Sequence, residues 1–228
     1  MKLFVGVSGG PDSMVLLSYI HENKEVVERE LRMLGYTGEI NLVALNFHHG
    51  DPHCDDALIL VRKYCESLGI KIKVGYNSPC NPSTEEAWRE ARYKFFSLIM
   101  KEEKEREEEN EVLILLLGHH WTDNKTSFII NTLKGSDRGF IPPVNQRGNH
   151  IVYRPFHLID KDIIISYASR WDIPYINDPT NNKSQRGRIE SLLPFLENTV
   201  NQMPGALKKK YRRYLNKNEF KPFSLTLN

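Results

Sequence analysis

The residues best suited to chemistry sit at a corner. Ser8-Gly9-Gly10-Pro11-Asp12-Ser13 follows the apolar run Leu3–Val7 and leads straight into Met14, Val15, Leu16 and Leu17. Glycines let a backbone approach an anion closely. Hydroxyls and the first N–H groups of a following helix supply donors, and the helix dipole favours negative charge. Ser8, Gly9, Gly10, Pro11, Asp12 and Ser13 therefore read as an anion cradle. Asp12 adds a condition. A carboxylate beside a bound anion repels it unless a cation stands between them, which suggests Mg²⁺ with Asp12 as its ligand. The lysine of a G-x-x-x-x-G-K-S/T loop is absent. The same six residues also read as a tight turn into a helix started by proline.

Two further corners concentrate polar residues. His48-His49-Gly50-Asp51-Pro52 ends a second apolar run, and Gly118-His119-His120-Trp121-Thr122-Asp123 ends the wholly apolar "VLILLL" of residues 112–117. Adjacent histidines rarely chelate one metal, and the Cys/His spacing matches no zinc pattern, so these side chains read as phosphate contacts. Arg89 and Arg92 lie on a helical stretch after Ser83, where Ser83 and Glu86 form a capping box. They read either as cationic support for a substrate or as surface ion pairs, Glu85–Arg89 being an i,i+4 pair.

Three strands must place these corners. The expected order is a strand at Leu3–Val7, a helix from Pro11 reaching as far as Leu34, and a strand at Ile40–Phe47. Then come a helix at Asp55–Leu68, a strand at Ile70–Tyr76, a helix from Thr84, and a central strand at Val112–Leu117. A helix follows to Leu133. Ile151–Arg154 is extended, Asp160–Trp171 and Arg188–Gln202 are helical with a kink at Pro194, and a basic tail closes the chain. Strand–helix alternation at this spacing implies α/β architecture, a parallel sheet with helices on both faces and right-handed crossovers. Ligands of such sheets bind beyond the carboxyl ends of the strands, where the three polar corners fall. We expect a catalytic domain over residues 1–185 and a helical extension with a basic tail over 186–228.

The 228 residues can bury a core without staples, and 26% charged residues is ordinary for a globular chain. The net charge is +2, unevenly spread. Lys101–Glu111 holds three bases and seven acids and reads as a solvated helix end, whereas Lys208–Lys221 holds seven bases and one acid. In that tail "KKKYRRY" interleaves aromatics with charge, so Lys208, Lys209, Lys210, Arg212 and Arg213 suit RNA phosphates and the tyrosines suit stacking. Three cysteines, Cys54, Cys65 and Cys80, contain no C-x-x-C pair, which argues against a disulfide framework, a zinc ribbon or an iron–sulfur site. No apolar run approaches a membrane span, and the first 20 residues lack the pattern of a leader. The expected location is a reducing cytoplasm.

The chain resembles a known family. "SGGPDS" is similar to the SGGxDS signature of the N-type ATP pyrophosphatase, or PP-loop, superfamily, and the branch it most resembles is tRNA(Ile)-lysidine synthetase. "HHG" at His48–Gly50 resembles that family's HHGL loop. "EEAWREARYKFF" resembles its E-x-x-x-R-x-x-RY helix through Glu85, Arg89, Arg92 and Tyr93. "GHHWTDN" resembles HHxxDQ, "LKGSDRG" resembles LxRGSGxxG, "YRPFHLIDKDII" resembles the RPLL segment, and "DPTN" at Asp178–Asn181 resembles D-x-S/T-N. The order is kept over about residues 1–196.

The resemblance implies an adenine nucleotide alpha hydrolase-like fold and a two-step reaction. The C2 oxygen of cytidine 34 in tRNA attacks the α-phosphate of ATP, pyrophosphate leaves, and the ε-amine of free lysine displaces AMP. It implies ATP binding by Ser8–Ser13, His48 and His119, with Mg²⁺ at Asp12. Asp12, Asp123, Arg89 and Arg92 would be catalytic, and Glu85, Tyr93, Arg154, Arg186 and Arg188 would hold substrate or tRNA. A homodimer is left open. The pattern departs in two places: Thr126 stands where the family carries a glutamate, and in "RGRIESLLP" only Arg186 and Arg188 match an R-N-x-I/L-R segment. Members usually carry further C-terminal domains for tRNA, and only about 30 residues follow the match here. The alternatives are another base modification on the same scaffold, thiolation or amidation, or a nucleotide-binding RNA-binding module without catalysis.

Overall fold

The computed structural model describes residues 1–36, 38–78, 84–106, 113–148, 150–177, 184–220 and 225–227. Ser83, Cys80, the Asp178–Asn181 segment and the side chain of Glu85 lie outside the described residues.

Five parallel strands form the body of one sheet: β1 (Lys2–Gly6), β2 (Asn41–His48), β3 (Lys71–Tyr76), β4 (Leu113–Leu116) and β6 (His150–Tyr153). A sixth strand, β5 (Val144–Arg147), pairs antiparallel with β6 through a short hairpin, giving the order β3-β2-β1-β4-β6-β5. The period of two decides what each strand residue covers. Leu3 and Val5 of β1 and Ile114 and Leu116 of β4 join one core cluster. Phe4, Leu113 and Leu115 join a second, on the opposite face.

Helices α1 (Pro11–Glu22), α2 (Lys24–Met33), α3 (Pro52–Ser67) and α6 (Lys161–Arg170) contribute to the first cluster, and α4 (Glu85–Arg106) supplies the second. The expected single helix from Pro11 to Leu34 is two. Asn23 breaks it, with φ −119° and ψ 37°, and its side chain donates to the Tyr19 carbonyl at 2.9 Å. Pro11 does open α1. At the start of α4, Thr84 Oγ1 accepts from the Ala87 amide at 3.2 Å.

The acidic run is not all solvated. Glu103 is 7% exposed, and its carboxylate takes Lys2 at 2.7 Å from the amino end of β1 and Lys73 at 2.5 Å from within β3. The hydrogen bonds from Lys2 and then Lys73 pull its carboxyl down to about 2. Helix α4 is thereby pinned to the sheet.

A third cluster joins α5 (Trp121–Leu133) to the last helix, α8 (Met203–Lys217), following α7 (Gln185–Thr199). Leu207 and Tyr211, one turn apart on α8, pack on Trp121 and Phe140, with Tyr211 5.4 Å from Trp121 and 5.0 Å from Phe140 between ring centroids. This corrects one expectation for the tail. Tyr211 is fully buried, so it is a core residue and no platform for bases. Lys209, Lys210, Arg212 and Arg213 occupy the exposed side of the helix.

Candidate nucleotide site and nucleic-acid groove

The corner after β1 is built by its own hydroxyls. Ser13 Oγ donates to the Gly10 carbonyl at 3.0 Å and accepts from the Ser8 amide at 3.1 Å, while the Gly10 amide reaches Ser8 Oγ at 3.4 Å. Gly9 adopts φ +88°, and a Cβ there would lie 3.0 Å from the Cβ of Ala57, so the left-handed turn and the close approach of α3 both require glycine. The Ile176 amide ties down the Gly9 carbonyl at 2.9 Å. The first amides of α1 have no partners within their helix and stay available to a ligand.

Beyond the carboxyl ends of β1, β2 and β4 the three corners meet around a cavity of about 210 Å³. Ser8, Asp12 and Ser13 line it from the first corner, His49 from the second, and His119 and Asp123 from the third. Arg92 of α4 reaches the same cavity. His48 does not line it. His48 is buried, its Nδ1 accepts from the Gly50 amide at 3.1 Å, and its Nε2 therefore donates to Asp55 at 3.0 Å. That tautomer fixes the turn that presents His49.

Charges inside the site are matched in pairs. Lys161, the first residue of α6, sits on both Asp12 carboxylate oxygens. His120 lies between the carboxylates, 3.4 Å from Asp12 and 3.6 Å from Asp123. Burial works against ionisation of Asp12, but His120 and Lys161 outweigh it and hold its carboxyl below the usual range. Burial opposes Asp123 too, and His120 and Arg186 overcome that, leaving it ionised. Arg186, from the first turn of α7, bonds the Asp123 carboxylate, and the His120 amide donates to the other oxygen at 2.8 Å. Burial would lower His120, yet the two carboxylates raise it. His119 goes the other way: burial first, then Arg154, keep its imidazole neutral.

A wider groove of about 1240 Å³ adjoins the cavity along α4, α5 and the β5–β6 hairpin. Arg89, Tyr93, Arg154 and Arg186 line it. Burial would raise the Tyr93 phenol, but Arg154, Arg89, Arg92 and Arg147 outweigh burial and pull it down. Arg154 is 4% exposed, and its Nη1 donates to the Pro142 carbonyl at 2.8 Å and to Asn145 at 2.7 Å. Arg188 is exposed. Lys208 leans on Asp160 at 3.5 Å, and Lys210 lies 4.6 Å from the Phe128 ring centre.

Three residues of this site escaped sequence reading. Lys161 lies in a quoted segment, but nothing in its spacing pairs it with Asp12, 149 positions earlier. Arg147 lies on a strand too short to register. Lys125 looks like a surface charge, yet it is buried and bonds Glu197 at 2.9 Å, fastening α5 to α7. Thr126, where the family pattern has a glutamate, is fully buried and donates to the Thr122 carbonyl at 2.9 Å.

A family model described as PP-loop domain matches residues 1–194. The chain belongs to the PP-loop domain family. Among curated proteins it is 29% identical over 212 residues to the tRNA(Ile)-lysidine synthase of Bacillus licheniformis, covering 86% of this chain and 40% of that protein. It is 31% identical over 216 residues to the enzyme of the same name from Bacillus cereus, covering 88% and 41%. It is 31% identical over 209 residues to a bifunctional TilS/HprT protein of Listeria monocytogenes, covering 86% and 30%. This PP-loop chain thus spans less than half the length of the curated relatives it matches. Among solved structures it is similar to the U34-tRNA thiolase NcsA from Methanococcus maripaludis, with TM-score 0.72, 18% identity, and coverage of 95% of this chain and 72% of that one. At that identity the likeness is one of fold. Among the described residues no helix is long and apolar enough to cross a membrane.

Proposed function

We propose that this protein is a tRNA-modifying ligase that adenylates the C2 position of cytidine 34 in a tRNA(Ile) with a CAU anticodon, then joins free lysine there, releasing AMP and pyrophosphate. The observation that carries the reading is the meeting of three corners at one cavity whose Asp123 is bonded by Arg186, a residue that lines the basic groove beside it. A cavity for a nucleotide beside a channel for a nucleic acid is what adenylation of a base requires.

The geometry supports a role for each residue. The α1 amides with Ser8 and Ser13 bind the phosphates and stabilise the departing pyrophosphate. Asp12 suits Mg²⁺: it is an ionised oxygen donor facing the cavity, and its carboxylate already holds a cation, the Lys161 ammonium. Asp12 would hold magnesium there, and the ion would supply charge neutralisation for the leaving group. The C2 oxygen attacks the α-phosphorus and the bond to the β-phosphate oxygen breaks. Arg92 offsets the charge that builds up. In the second step the lysine nitrogen bonds to C2, the C2–O bond breaks, AMP leaves, and the nitrogen loses a proton. Asp123 is engaged by Arg186 and His120, so it is a poor acceptor of that proton. His119 lines the cavity as a neutral imidazole, but the burial and the Arg154 charge that keep it neutral also make it a weak base. Sulfur transfer could not run through Cys65, which is buried with its thiol raised to about 11, and would fall instead to Cys54, which is partly exposed.

The test is turnover of α-labelled ATP with Mg²⁺, with and without tRNA(Ile) bearing CAU, and with and without lysine. Lysine-dependent incorporation into the tRNA, with AMP released, establishes the reading. AMP that needs tRNA but ignores lysine redirects the search to another nucleophile. AMP formation that ignores tRNA sinks it.

A further inference from the structure

Four guanidinium groups converge on one phenol. Arg147 Cζ lies 3.9 Å from the Tyr93 ring centre, Arg89 5.5 Å and Arg92 5.9 Å. Arg154 is the fourth cation acting on that phenol. Its Nε is buried with no hydrogen-bond partner among the described residues. Gathering four like charges around one ring is unfavourable unless an anion joins them. The groove that Arg89, Arg147 and Arg154 line carries eight basic and two acidic residues, so its sign is not in question. Its volume of about 1240 Å³ exceeds what a single small ligand fills. Tyr214 and Phe140 line the same groove and offer aromatic surface beside the charge.

We propose that Arg89, Arg92, Arg147 and Arg154, gathered on Tyr93, form a seat for a backbone phosphate of the RNA strand, immediately outside the nucleotide cavity. This rests on the tRNA-modifying reading and adds the residue that reading lacked, Arg147 of the β5–β6 hairpin. Planar guanidinium groups match phosphate oxygens in pairs, and the Tyr93 ring holds Arg147 flat and pre-organised. Arg92 lines the cavity and the other three line the groove, so a phosphate seated among them leaves the adjacent base facing the nucleotide site. An acidic protein segment would satisfy the charge but would make no use of the aromatic surface.

The experiment uses the full chain and a fluorescent CAU anticodon stem–loop RNA, with binding measured by anisotropy over a salt series. Arg147→Gln should weaken binding about tenfold and reduce the slope of log K against log salt by about one phosphate contact. Arg147→Lys should restore the slope but not the full affinity, because it returns the charge without the planar stack. Thermal unfolding of each variant separates loss of fold from loss of contact. Unchanged affinity and slope in Arg147→Gln overturn the proposal. So does weakened ATP binding with RNA binding intact, which would assign the seat to the nucleotide. Equal competition by polyglutamate and by RNA, or no RNA binding by the native chain, overturns it as well. Binding needs no turnover, so an Arg147-dependent salt slope without AMP formation would sink the ligase reading and keep this one.

Discussion

The Lys161 ammonium lies 2.5 Å from each carboxylate oxygen of Asp12. Side chains from the first and sixth helices thus close a charge pair at the mouth of the nucleotide cavity. The pair gives Asp12 a counter-ion when no nucleotide is bound and leaves a cation within reach of the phosphates when one is. Replacing Asp12 with Ala should lower AMP formation by at least about 100-fold. Replacing Lys161 with Ala should raise the KM for ATP about tenfold. Steady-state kinetics at varied ATP and Mg²⁺ separates the two. Wild-type kinetics in Lys161→Ala would remove Lys161 from the site.

Gly118 is the point where the third corner touches the first. A Cβ on it would come within 2.9 Å of the carbonyl carbon and oxygen of Asp12 and 3.2 Å of the Ser13 amide nitrogen. Those atoms are backbone at the start of α1 and cannot swing aside. Gly118→Ala should therefore cost about 1–3 kcal/mol by overpacking and loosen ATP binding at least about tenfold. Titration calorimetry with ATP, beside thermal unfolding, checks both. Unaltered ATP affinity would mean that the cradle tolerates the shift.

His157 makes the fold acid-sensitive. It is 1% exposed, its Nδ1 donates to the Arg154 carbonyl at 2.9 Å, and burial lowers it from 6.5 to about 4. Between those values the unfolded chain binds a proton that the folded chain does not. Stability is therefore present in full above about pH 6.5, declines as pH falls, and has lost about 3 kcal/mol from this group near pH 4. Denaturant unfolding of the native chain and of His157→Gln at pH 7.5, 5.5 and 4.5 tests this. The variant should show a flatter decline, and parallel curves would assign the loss elsewhere.

Tyr211 should matter more than the charges around it. Tyr211→Ala empties a fully buried ring site between Trp121 and Phe140, at a cost of about 3–5 kcal/mol. Arg212→Ala and Arg213→Ala, on the exposed side, should stay within about 0.5 kcal/mol. Chemical denaturation of the three variants decides, and a Tyr211→Ala chain as stable as the native one would contradict the third cluster.

Much of this arrangement was legible in the sequence because the signals were local. An apolar run closed by Ser-Gly-Gly-Pro is a strand, a turn and a helix start whatever surrounds it, and "VLILLL" belongs in the middle of a parallel sheet. From strand order alone the three polar corners had to share one end of the sheet. What escaped was set by contacts distant in sequence. Glu103 reads as one more acid in an acidic run until Lys2 and Lys73 are found beneath it. Tyr211 reads as part of a basic tail until Trp121 is found against it. The break at Asn23 depends on a side chain capturing a carbonyl, which leaves no mark on hydrophobic spacing. Arg147 sits on a four-residue antiparallel edge strand, too short to stand out from loop.

Trp121 opens the helix that carries Asp123, and its indole is wedged against the Tyr211 ring of the last helix. The corner that carries His119, His120 and Asp123 thus has a foundation about 90 residues downstream. Lys125–Glu197 and Arg186–Asp123 tether the intervening helix to the same corner. On the proposed function, changes at 207 or 211 should register in the kinetics as well as in the melting curve, which would tie the residues beyond 185 to the same corner.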